Sequence, residues 1–201
     1  MYSLFILSLT EQMKLTPKLN LDNLLEGCRA GDRKAQELLY KQTAPKMMVV
    51  CMRYARDRME AEDILQLGYI KVFGKISEFR SAGSLEGWIR RIIVNTAIES
   101  YRRNLRMMNI VPITENEEQI AADFDFSRMG MQVLLKLIQG LSDGTRVVFN
   151  MYVMEGFSHQ EIADSLGISA GASKSQLSRA RAVLKQEIIK MEGIDYATYT
   201  G

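Results

Sequence analysis

The stretch Phe157–Leu184, FSHQEIADSLGISAGASKSQLSRARAVL, constrains the chain more than any other. Ser158 stands where a helix can begin, and Glu161 follows three residues later, the spacing of a capping box. Ile162, Ala163 and Leu166 then form one apolar stripe of a short helix. Gly167 is expected to end it, because glycine takes the left-handed conformation at no steric cost. Ile168 can plug the corner, and Ser169 can cap a second helix that runs past Leu184. Helix, glycine turn and second helix make the form that sets a recognition helix into a DNA major groove.

The second helix has two unlike sides. Leu177, Ala180, Leu184 and Ile188 recur at three- and four-residue steps and are expected to face inward. Ser175, Ser178, Arg179 and Ala182 fall on the other side, where small residues let the backbone approach the bases. Lys174 and Arg179 bring charge and base-edge donors, and the hydroxyls can reach phosphate or base. Between Ser169 and Lys185 stand four basic residues and no acid. A solvated basic face on a core helix would show the same charge; the glycine turn and the small residues favour DNA.

Charge is uneven along the 201 residues. The net formal charge is +2, yet residues 1–108 hold 18 basic and 12 acidic side chains, and 109–127 hold five acids and no base. Two basic-leaning parts thus flank an acidic connector that contains Pro112. At full extension its residues reach roughly 70 Å, about two turns of DNA. The apolar share of 47% fits a folded soluble protein. Cys28 and Cys51 are spaced for no metal motif and are expected to be buried and reduced. His159 is the sole histidine, too few for a dyad or a zinc cage. No apolar run is long enough to span a membrane. Tyr2–Leu9 is apolar but lacks the marks of a signal peptide; it reads either as a docking segment or as an extension upstream of a start at Met13.

Earlier in the chain the patterns are helical, and no segment makes a convincing strand ladder. A first helix is expected from about Asp22, with Leu24, Leu25 and Cys28 buried, then a turn at Gly31-Asp32. A helix carrying Ala35, Leu38 and Leu39 follows, and Pro45 is expected to start another. In Met59–Ile76, one stripe holds Leu65, Tyr69, Val72 and Ile76. A second holds Asp63, Gln66, Leu67 and Ile70, so both sides of the helix are expected to be covered, by the core or by a protein partner. Phe79–Ser84 reads as a loop, and Ser84 caps a helix from Leu85 to about Arg103. There Ile89, Ile93, Thr96, Ala97 and Ser100 form the core face. Trp88, Arg91, Asn95 and Arg102 share another, able to stack on and hydrogen-bond unpaired bases; a solvated face with a core tryptophan remains the alternative. Helices are expected again at Leu134–Leu141 and Arg146–Met154.

Two blocks together resemble a known family. AEDILQLGYIKVFGKISEF with GSLEGWIRRIIVNTAIESYRR resembles conserved region 2 of bacterial sigma-70 factors. LSDGTRVVFNMYVMEGFSHQEIADSLGISAGASKSQLSRARAVLK resembles region 4. The short linker between them, with no region 3, is similar to the extracytoplasmic-function (ECF) subfamily. The resemblance implies an all-α chain of two small helical domains joined by a flexible acidic linker, the second a helix-turn-helix. Its divisions are an N-terminal extension at 1–20, a region 2 domain at 21–106, a linker at 107–127, a region 4 domain at 128–191 and a tail at 192–201.

The same resemblance implies a cytoplasmic protein that binds core RNA polymerase and directs promoter recognition, DNA melting and initiation. Asp63, Gln66, Leu67 and Ile70 would meet the β′ clamp helices, with Leu67 where an acid is common in the family. Region 4 would meet the β flap. Arg80, Trp88, Arg91, Asn95 and Arg102 would serve the −10 element, whose flipped bases cost a few kcal/mol to unstack. Lys174, Ser175, Ser178 and Arg179 would read the −35 element, with Ser158 and Gln160 at phosphate. The linker's charge would mimic nucleic acid in a basic channel. An anti-sigma factor is a further partner that the resemblance admits. No cofactor or metal is implied, and no catalytic motif is present. A stand-alone helix-turn-helix regulator is the rival reading, and it leaves the first block idle.

Overall fold

A computed structural model describes residues 21–80, 83–107 and 131–192. The acidic connector, Tyr2–Leu9 and the last nine residues lie outside the described residues. Within them all regular structure is helical: α1 (Leu21–Arg29), α2 (Arg33–Tyr54), α3 (Arg58–Gly74), a 3₁₀ turn (Ile76–Glu78), α4 (Leu85–Met107), α5 (Met131–Gln139), α6 (Asp143–Phe149), a π turn (Asn150–Met154), α7 (His159–Leu166) and α8 (Ala170–Glu192). Packing divides the chain into two units, Met1–Cys51 with Met59–Thr96, and Met52–Arg58 with Ala97–Gly201.

The first unit is closed by apolar residues, all but Met47 on stripes that the sequence marks. Leu24, Leu25 and Cys28 of α1, Leu39 and Met47 of α2, Leu65, Tyr69 and Val72 of α3, and Ile89 and Ile93 of α4 are all buried. Gly31 turns the chain after α1 with a φ of 77°, a conformation glycine adopts without strain. Asp32 then caps α2, its Oδ1 accepting from the amide of Lys34 at 2.8 Å. Gly68 is required for another reason. A Cβ there would stand 2.3 Å from Cδ1 of Ile93, so the missing side chain lets α3 and α4 approach.

Pro45 does not start a new helix. It lies inside α2, which runs unbroken from Arg33 to Tyr54. An interior proline costs about 3 kcal/mol in a lost hydrogen bond and a clash with the preceding turn. Burial on both sides of it outweighs that cost. Leu39, Ala44, Met47, Val50 and Cys51 are all in the core, and a fully buried Leu or Met contributes about 1.5–3 kcal/mol. The Thr43 hydroxyl donates to the carbonyl of Leu39 at 2.7 Å and also meets the Tyr69 hydroxyl at 2.6 Å, so the turn before the proline is tied to α3.

The second unit is held by a polar cluster as well as by an apolar core. A helix leaves its last carbonyls without partners inside the helix, and α2 ends at Tyr54. Three of those carbonyls are met by side chains from the C-terminal half of the chain. Gln139 Nε2 donates to Met52 at 3.1 Å, Asn150 Nδ2 to Arg53 at 2.8 Å, and Arg146 Nε to Tyr54 at 3.2 Å. Arg146 also donates to the Leu141 carbonyl at 2.8 Å and to Asp143 Oδ1 at 2.6 Å. Arg53 pairs with Glu155 at 3.0 Å, both side chains nearly sealed from solvent. The expected helix at Arg146–Met154 is thus present in two forms, α-helical to Phe149 and π-helical from Asn150. Asn150 stands at the change, donating back to the carbonyl of Arg146 at 2.9 Å.

Candidate nucleic-acid interface

The helix-turn-helix is built as its residues require. Ser158 Oγ accepts from the amide of Glu161 at 3.2 Å, and the Glu161 carboxylate accepts from the amide of Ser158 at 2.8 Å. That reciprocal pair is a complete capping box. Hydrogen bonding by Ser158 holds the Glu161 carboxyl below its usual range. Gly167 ends α7 in the left-handed conformation at φ 69°, and its amide and that of Ile168 both reach the Ala163 carbonyl. Ser169 then caps α8, accepting from the amide of Ala172 at 2.9 Å. Ile162, Ala163 and Leu166 of α7 and Leu177, Ala180, Leu184 and Ile188 of α8 are all buried.

The opposite side of α8 is open. Lys174 is exposed, and Ser175, Ser178 and Arg179 are half-buried. Ser158 and Gln160 are exposed at the start of α7, where Gln160 donates to Asp164 at 3.0 Å. These six residues all belong to the second unit.

Beside that face lies a cluster around His159. His159 Nδ1 is 2.9 Å from the hydroxyl of Ser173, which is wholly buried on the first turn of α8. The imidazole stacks on Tyr152, ring centroids 4.5 Å apart and planes 23° from parallel. The Arg181 guanidinium lies 6.0 Å from the centre of the same Tyr152 ring. Burial, followed by the charges of Lys174 and Arg181, holds the His159 imidazole below its ordinary range. Arg181 could have been found, since it stands seven residues from Lys174 with Ser178 between, on one helical stripe. Tyr152, with Val147, Val148 and Met151, is expected from the sequence to pack under the helix-turn-helix, and it does so by stacking on His159.

In the first unit, α3 presents Asp63, Gln66, Leu67 and Ile70 as one exposed stripe, with Ala61, Ile64, Leu65, Gly68, Tyr69 and Val72 buried behind it. Ile70 is 68% exposed, and Met59, which the sequence reading passed over, is 72% exposed on the same side. The expectation that both sides are covered therefore fails inside this chain. One side is core, and the other carries apolar residues in solvent. On α4, Arg91, Asn95 and Arg102 are exposed and Trp88 is half-buried, its ring 5.5 Å from that of the buried Phe79. Arg29 fixes the start of the following loop by donating to the Phe79 carbonyl at 2.5 Å, and Arg80 beyond it is exposed. By packing, Arg102 belongs with the second unit, while Arg80, Trp88, Arg91 and Asn95 belong with the first.

Among the described residues no cluster of histidine, cysteine and carboxylate side chains could hold a metal ion, and no helix is long and apolar enough to cross a membrane.

Comparison with known proteins bears on both units. Residues 39–107 match the family model for sigma-70 region 2, and residues 131–184 match that for sigma-70 region 4. The ECF RNA polymerase sigma factor SigE of Mycolicibacterium smegmatis is 30% identical, covering 80% of this chain and 65% of that protein. The chain belongs to the ECF branch of the sigma-70 family. The ECF RNA polymerase sigma-E factor of Haemophilus influenzae is 26% identical to this sigma factor, covering 82% of it and 93% of that protein. The RNA polymerase sigma-H factor of Pseudomonas aeruginosa is 24% identical, covering 82% and 92%. Two solved structures have a similar course. One is CnrH in complex with the cytosolic domain of CnrY, with 18% identity, a TM-score of 0.45 and coverage of 85% and 99%. The other is the sigma factor RpoE in complex with the anti-sigma factor NepR from Bartonella quintana, with 23%, 0.45, 78% and 97%. Membership carries with it a function in promoter recognition and transcription initiation.

Proposed function

We propose that this sigma factor holds core RNA polymerase through its first unit and reads the −35 element of promoter DNA through α8. One observation carries the reading: regions 2 and 4 occur on one chain, in that order. The exposed stripe on α3 supports the polymerase half. Ile70 and Met59 leave apolar surface in water, and the flanking Asp63 and Gln66 give such a contact a polar rim, the composition of a protein interface. The rival regulator that never meets polymerase gives that stripe no use.

For the DNA half, Lys174, Ser175, Ser178 and Arg179 form the base-reading face, and Ser158 and Gln160 hold phosphate at the start of α7. Arg80, Trp88, Arg91, Asn95 and Arg102 are assigned to the −10 element, the aromatic ring and amide serving unpaired bases. Residues 21–106 and 128–191 are the two working domains, and 107–127 the acidic connector between them. The chain supplies recognition, and the bond-making chemistry is the polymerase's.

Capture of purified core RNA polymerase by the full chain tests this. The wild-type chain is expected to retain polymerase. Asp63→Arg is expected to retain markedly less while its duplex DNA binding stays intact. Equal retention by both proteins would remove α3 as the polymerase face.

A further inference from the structure

The contacts around His159 belong to neither the apolar core nor the base-reading face, and they join the two helices of the DNA reader. α7 and α8 are connected by a turn of three residues, and on their inner side they are held by side chains without directional bonds, Ile162, Ala163, Leu166, Leu177 and Ala180. Apolar contact fixes separation better than rotation. His159 supplies direction. Its Nδ1 meets the hydroxyl of Ser173 at 2.9 Å, and Ser173 immediately precedes Lys174. A turn of α8 about its axis would break that bond and carry Lys174, Ser178 and Arg181 away together.

We propose that His159 is a positioning residue for −35 recognition, setting the rotation of α8 through its hydrogen bond to Ser173 and leaving the bases themselves to Lys174 and Arg179. This rests on reading α8 as the recognition helix. Tyr152 has a second part. Its ring lies against His159 at 4.5 Å and within 6.0 Å of the Arg181 guanidinium, so it backs the imidazole and keeps that arginine on the Lys174 side. The groups that face the imidazole are Lys174 and Arg181 from α8 and the Tyr152 phenol from the π turn. On its own helix, Glu161 is turned to Ser158 and Asp164 to Gln160.

Two variants separate the hydrogen bond from the stack. His159→Asn places an amide atom where Nδ1 stood and loses the ring; His159→Phe keeps a ring on Tyr152 and loses the bond. The probe is a duplex selected from a random-sequence pool by the full wild-type chain, compared with the same duplex bearing single base changes in the selected motif. His159→Phe and Ser173→Ala are expected to lower discrimination between them by about three- to tenfold, the worth of one hydrogen bond. His159→Asn is expected to keep most of it. Adding Ser173→Ala to His159→Phe is expected to cost little more than either alone, since both remove one bond. A merely space-filling role reverses the order, with the phenylalanine variant above the asparagine one, and that result overturns the proposal. Circular dichroism of each variant at the temperature of the binding assay, native where discrimination falls, separates rotation from unfolding. If the wild-type chain selects no motif, the reading of α8 itself fails and the proposal falls with it. If it selects one and the variants reverse, only the role of His159 falls.

Discussion

At the scale of single residues, His159 reports on the reader's charge. The folded environment favours the neutral imidazole, because the ring is partly buried and stands near Lys174 and Arg181. Between the lowered folded pKa and the ordinary 6.5, the unfolded chain binds more protons than the folded one. The stabilisation from this group is therefore complete above pH 6.5 and lost as the pH falls through the folded value. Since the chain has one histidine, its Cε1–H resonance can be followed alone. Its titration midpoint is expected below 6.5 in the folded protein; a midpoint at or above 6.5 would contradict the placement of the two cations. Lys174 and Arg179 carry the second residue-scale expectation. Replacing either by alanine should cost about 1–3 kcal/mol of discrimination if its base contact is bidentate, read as binding to selected and point-changed duplexes. Uniform weakening on every duplex would instead mark a phosphate contact.

At the scale of elements, what the sequence reveals depends on the range of the interaction. The capping box at Ser158 and Glu161, the left-handed Gly167 and the Ser169 cap are settled within a few residues, and each stands in the structure as the residues foretell. The core stripes of α3 and α4 are legible for the same reason. Pro45 misleads, since the burial that overrides it comes from α3 and other distant segments. The π turn is hidden too, and the bond at its first residue is tertiary: Asn150 reaches the carbonyl of Arg53, 97 positions away. That bond gives a test. Asn150→Ala removes the side-chain donor from the buried Arg53 carbonyl, while the Arg146 carbonyl keeps the Asn150 amide, and should destabilise the second unit by about 1–3 kcal/mol. Urea unfolding followed by a probe in α6 or α7 measures it, and a loss well under 0.5 kcal/mol would mean that the Arg53 carbonyl finds another donor.

At the scale of the whole molecule, the candidate sites were legible as stripes but not as neighbours. Lys174, Ser175, Ser178 and Arg179 can be placed on one face from spacing alone, and Tyr152 under the helix-turn-helix, while the bond of His159 to Ser173 and its stack on Tyr152 have no signature in spacing. On α3 the two stripes were visible, but only burial shows that Ile70 and Met59 meet solvent. The division by packing, with Met52–Arg58 joined to the C-terminal half, follows from the carbonyls at the end of α2 and has no local signature. The most direct measurement is transcription in vitro with purified core RNA polymerase on genomic fragments, with and without the full chain. Discrete transcripts that begin at fixed start sites only when the chain is added, and that fade with Asp63→Arg or Lys174→Ala, are the expected result. Initiation that the chain leaves unchanged on every fragment would contradict it.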